Sequence, residues 1–214
     1  FSAIDAVAGL NEDNADPLTP DAALRWYTGL TQIWVPLQAL SLFGLIAYVA
    51  QAEHLGGWET FGVMFGSGVM TGTVGIVYAH ELLHQRNRVE RFLGDLLLAM
   101  VLYGHFRSEH LLVHHRYVGT PRDPVTARYN EGFHRFYPRV LRESLVSSFK
   151  AERALLARKG RPWWDFGNPF WLYGALQLGM LALALAVGGW GGVALFVIQA
   201  GVAIWQLEVV NYVE

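Results

Sequence analysis

Five of the eight histidines in this 214-residue chain fall into two short clusters. "HELLHQRNR" (80–88) carries His80 and His84. Side chains four apart on a helix are offset by about 40° and about 6 Å of rise, so these two imidazoles project from one face and can grip one cation. "EHLLVHH" (109–115) repeats the spacing with His110 and His114 and adds His115. On a helix His115 points about 100° away from His114, toward a second metal. One such pair alone is equally well read as hydrogen-bonded packing. Two clusters belonging at one membrane boundary point instead to a shared metal site with His80, His84, His110, His114 and His115 as its ligands. Glu81, Glu109 and Asp123 are the neighbouring acids that could orient imidazole N–H groups, and His105 in "YGHFRSEH" suits supporting hydrogen bonding better than ligation. No catalytic side chain beyond the ligands stands out. His54 reads as a solvated turn residue and His134 as a surface one.

Other chemistries compete for the same residues. HExxH is the zinc-protease spacing, with Glu81 activating water and His80 and His84 holding zinc, but it leaves three histidines without a task. Glu81/His84 and Glu131/His134 both fit the Glu-x-x-His pattern of soluble carboxylate-bridged di-iron bundles, which leaves the second cluster idle. A membrane metal carrier or sensor is the non-enzymatic reading, and it requires reversible uptake without turnover. Neutral, all-imidazole donors suit iron that binds and reduces O2, whereas structural zinc more usually recruits thiolates.

The elements that position these residues are set by composition. The chain is 53% hydrophobic with mean hydropathy +0.26, which predicts an all-α, multi-span helical membrane protein. Four segments are apolar enough to cross about 30 Å of hydrocarbon: 33–50, 59–79, 168–188 and 190–207. They read as two transmembrane hairpins with turns at 51–58 and around Trp190. The run 92–106 is shorter and flanked by basic residues, so it reads as interfacial or re-entrant. Residues 1–28 form a polar N-terminal arm, and 29–214 a helical membrane catalytic domain in which 107–165 is a cytoplasmic segment between the hairpins. Within that segment, 120–124 reads as a turn and 138–159 as a helix.

Of the 16 Lys and Arg residues, all but Arg25 lie between Arg86 and Arg161. This block between apolar segments is an orientation signal placing the histidines on the cytoplasmic side, rather than a nucleic-acid surface. The glycines of 61–79 read as close helix packing ahead of a lane for an alkyl chain. With no cysteine, disulfides, iron–sulfur clusters and thiolate-ligated haem are excluded. No GxGxxG or P-loop occurs.

Taken in order, "HELLHQ", "LYGHF", "EHLLVHH", "GTPRDPVTAR" and "NYVE" resemble the motifs of the bacterial membrane alkane 1-monooxygenases, within the class of histidine-box hydroxylases and desaturases. The resemblance covers roughly residue 20 to the end. It implies six spans in the complete protein, two non-haem iron ions held almost wholly by histidine, and oxidation of an alkane's terminal methyl by O2 in the bacterial cytoplasmic membrane. A rubredoxin and its reductase would supply electrons. It further implies a histidine directly after Glu214, a later histidine-rich box and an earlier hairpin. Five imidazoles alone leave two irons under-coordinated, so the 214 residues by themselves are expected to be inactive. Desaturation uses the same ligand chemistry, so the choice of hydroxylation rests on the resemblance.

Overall fold

The computed structural model describes residues 25–213, and every regular element among them is helical. Most of the expected N-terminal arm lies outside the described residues, while 25–28 already belong to helix α1 (Arg25–Gln51). After a turn at 52–56, α2 (Gly57–Met70) opens where the Gly56 N–H donates to the Glu59 carboxylate at 2.6 Å. A π-helical turn (Thr71–Gly75) joins α2 directly to α3 (Ile76–His84). Together they form one apolar run of 28 residues, long enough to span. His84 is its last residue because Gln85 is extended and Asn87 caps the next helix, its side chain accepting from the Val89 N–H at 2.9 Å.

That next helix, α4 (Arg88–Met100), has 13 residues and so reaches about 20 Å. It enters the bundle and ends inside it, with Leu97, Leu98, Ala99, Met100 and Val101 buried. A helix that stops among apolar side chains leaves carbonyls without partners. Gln199 answers this by donating to the Met100 carbonyl at 2.7 Å while accepting from the Thr71 hydroxyl at 2.9 Å. The chain then returns through 101–105, with Leu102 at φ 55°, into α5 (Phe106–Glu109), a second π turn (His110–His114) and α6 (His115–Tyr117).

Helix α7 (Phe133–Arg158) begins five residues before the expected start and runs through Pro138. An interior proline costs about 3 kcal/mol. Packing offsets it, because the added turns put Phe133 and Phe136 against Tyr212, Val125 and Val140.

Helix α8 (Phe170–Val213) has 44 residues, about 66 Å if straight, but Gly189 breaks it with φ 61° and ψ −156°. Only glycine adopts that conformation readily. The chain folds back there, since Gly188 and Gly192 both pack on Ile46. The two ends of α8 therefore return to one level: the Tyr173 hydroxyl lies 2.9 Å from that of Ser108, and Glu208 accepts from Tyr103 at 2.7 Å. Both expected hairpins are present, each longer than its apolar core. Phe43 stacks on Phe196 with centroids 5.8 Å apart, in a core where Leu42, Ile46, Met64 and Leu98 are also buried.

Candidate metal centre

The end of α3 and the π turn after α5 bring the two histidine clusters together. The Nε2 atoms of His80 and His110 are 2.8 Å apart, those of His84 and His80 3.3 Å, and those of His84 and His110 3.2 Å. His115 Nε2 stands 2.9 Å from His110 Nε2. A cation held by nitrogens at about 2.1 Å, with ligand angles of about 90–110°, sets those nitrogens roughly 3.0–3.4 Å apart. The observed separations are close to the edges of such a polyhedron, and the ligand atoms of His80, His84 and His110 all lie within 4.8 Å of one another. The donor set fits a metal ion.

His114 and His115 diverge around His110. A π turn closes i→i+5 hydrogen bonds, so the residues four and five beyond His110 flank it together. His114 stacks on His110 at 5.3 Å and 22°, while His115 meets it edge-on at 4.4 Å and 84°. His115 thus stands beside His110, while the mutually close group remains His80, His84 and His110. His114 is held by Asp123, its Nδ1 2.9 Å from Oδ2. Phe106 covers the other face of His110 at 5.2 Å. Burial, followed by the neighbouring imidazoles, pushes His110 down to about 3, so it is neutral and free to donate its lone pair. Burial and the same kind of neighbour also lower His115.

The four acids and bases expected to support the site fall differently. Asp123 is buried and accepts from His114, from Thr126 at 2.7 Å and from the Val125 N–H. Burial would raise its pKa, but these bonds hold it below the usual carboxylate range. Glu109 is buried beside His110 with Oε1 unpartnered, and burial, then Asp123 and Glu208, push it up to about 8. His105 packs on Tyr103 with centroids 4.6 Å apart; its Nε2 has no partner, and burial pushes it down to about 4. Glu81 is exposed and accepts from Gln85 at 2.7 Å. Glu131 is tied to Arg139 at 2.6 Å, and His54 bonds Tyr48, so neither joins a metal group.

Sequence reasoning missed Glu208, which is fully buried and accepts from Tyr103 and, at 3.1 Å, from Asn211. Its signal was available: a carboxylate in an otherwise apolar helix usually marks function. A cavity of about 350 Å³ opens beside the histidines, lined by Gly72, Ile76 and Val77 from one span and Gln206, Leu207 and Val210 from another. His80, His110, His114 and Glu109 stand at its head.

The sequence model of the fatty acid desaturase family matches residues 56–214. Alkane 1-monooxygenase 1 of Pseudomonas aeruginosa is 33% identical over all of this chain and 59% of its own length. Alkane 1-monooxygenase 2 of the same organism is 32% identical over 99% of this chain and 57% of itself. Alkane 1-monooxygenase 2 of Alcanivorax borkumensis is 32% identical over 93% and 54%. This chain thus spans just over half the length of these curated relatives. With two converging histidine clusters, spanning helices and a match over most of its length, the chain belongs to the fatty acid desaturase family and is similar, within it, to alkane 1-monooxygenases.

Proposed function

We propose that this chain forms part of an integral-membrane non-haem di-iron monooxygenase that converts the terminal methyl of an alkane to a primary alcohol, with electrons from a rubredoxin-type donor and its reductase. The observation that carries this reading is the convergence of His80, His84 and His110 beside a cavity that His80, His110 and His114 line. These residues and His115 would hold two iron ions, completed by ligands from outside this chain's 214 residues. Iron bound there would supply O2 binding and reduction, chemistry that no side chain here provides.

The reaction inserts one oxygen atom into a methyl C–H bond and releases the other as water, consuming two electrons and two protons. The protein's own part is placement. Ile76, Val77, Leu207 and Val210 give the cavity an apolar wall, so a hydrocarbon would be held there by contact with its end carbon beside the histidines. The concentration of Lys and Arg between Arg86 and Arg161 supports a bacterial cytoplasmic-membrane location with 107–165 and the histidines on the cytoplasmic side. The same cations suit docking of an acidic electron carrier.

The test uses the complete protein in membranes with iron, a reduced donor, an alkane and labelled O2. The expected product is the primary alcohol with one labelled oxygen. A protein that purifies with zinc alone and makes no alcohol overturns the reading. The description of the matching family favours a second reading, O2-dependent desaturation by the same residues, for which the product is an unlabelled alkene.

A further inference from the structure

The cavity beside the histidines has a closed end. Two turns below His80, the helix carrying it touches α8 backbone to backbone. A Cβ on Gly72 would meet the Gln206 amide oxygen at 2.9 Å and the Ala203 Cα at 3.1 Å. One turn further, a Cβ on Gly68 would meet the Val202 Cβ at 2.6 Å and the Gln199 carbonyl at 2.7 Å. The Thr71–Gln199–Met100 hydrogen bonds tie a third helix in at this level. These glycines close the helices together; the open space lies above them, where Ile76, Val77, Leu207 and Val210 line it.

We propose that Gly72, Ala203 and Gln206 form the stop that sets the length of hydrocarbon this site accepts. The inference rests on the hydroxylase reading and names the residues that would give it chain-length specificity. Amide orientation is fixed at the stop. The Thr73 hydroxyl donates to the Val69 carbonyl, so it can only accept from Gln206 Nε2, at 3.4 Å, and this turns the Gln206 oxygen down over Gly72. From Gly72 to His80 is eight residues, about 12 Å of helix. An extended chain of single bonds advances about 1.2 Å per bond, so roughly eight to ten carbons fill the lane once the end carbon clears the imidazoles. Val77 and Val210 are exposed and flank the open side. A longer chain with its end carbon at the histidines must bend out between them.

The test is the product profile of the complete, iron-loaded protein across alkanes of graded length, read alongside thermal stabilisation of the same protein by each alkane. Both are expected to peak near eight to ten carbons. Gln206→Ala, which deepens the lane, should move the peak up by two carbons or more. Ile76→Phe, which raises the stop by about one turn, should move it down by about three to four. Profiles that stay where they were in both variants overturn the proposal. If Ile76→Phe does not retain its iron, Gln206→Ala decides alone. Absence of turnover with every alkane refutes the hydroxylase reading, and the stabilisation profile then decides the stop independently.

Discussion

Asp123 fixes His114: its Oδ2 lies 2.9 Å from His114 Nδ1, and the same oxygen also accepts from the Thr126 hydroxyl. A carboxylate on Nδ1 holds the proton there and leaves Nε2 as the free donor, which lines the cavity wall with His110 and His80. Such supporting carboxylates change metal affinity by about 10–100-fold when removed. Asp123→Ala should therefore lower iron affinity in the complete protein by that factor, measured by competition with a chelator of known strength. Asp123→Asn should recover part of it if geometry matters more than charge. Unchanged affinity in the alanine variant would mean that His114 needs no orienting partner.

Asp95 gives the fold a pH dependence of defined sign. It is buried against Arg107 at 2.6 Å, and burial, only partly offset by Arg107 and Arg91, pushes it up to about 6. An unfolded aspartate titrates near 3.9. The folded state therefore holds its proton more tightly. Its contribution is full below about pH 4, declines as pH rises and is gone just above 6, a loss of at most about 3 kcal/mol. Thermal unfolding of wild type and Asp95→Asn, compared at pH 4.5 and pH 7.5, should show the wild type losing more on going to the higher pH. Equal shifts in the two proteins would exclude Asp95 as the source.

Gly189 is the hinge of the second hairpin. A Cβ there would have nothing within 4 Å, so substitution costs backbone strain alone. At φ 61° and ψ −156° that strain is about 1–3 kcal/mol. Gly189→Ala should lower the unfolding midpoint in detergent, while Gly191→Ala, with equally open surroundings and no positive φ, should leave it unchanged or raise it. A neutral Gly189→Ala would show that the reversal does not depend on this residue.

The spans were readable because lipid demands long apolar runs, and the two halves of α8 were separable by the glycines around Trp190 alone. That α4 is too short to span was readable too, from the length of its apolar run. The π turn at His110–His114 was not, because "HLLVH" carries no periodicity that distinguishes it from an ordinary helix. The start of α7 was hidden for a related reason: Pro138 is a local breaker, and what overrides it is contact with Tyr212, more than seventy residues away.

The chain's orientation can be tested because it has no cysteine of its own. Trp190 is 80% exposed at the tip of the α8 hairpin, and Arg153 is exposed on α7, whose neighbours pack against the opposite ends of the spans. Glu152 accepts from Ser108 at 2.6 Å and Ser108 contacts Tyr173, so α7 sits at the level of the histidines, a full span away from Trp190. The proposed orientation, with the fifteen cations between Arg86 and Arg161 on the cytoplasmic side, makes a definite prediction. Single variants Trp190→Cys and Arg153→Cys of the complete protein, with any cysteine outside these 214 residues replaced by serine, should then react oppositely with a membrane-impermeant maleimide: the first in intact spheroplasts, the second only in inverted vesicles. Labelling of both from one side would break the hairpin topology, and an exchange of sides would overturn the proposed orientation.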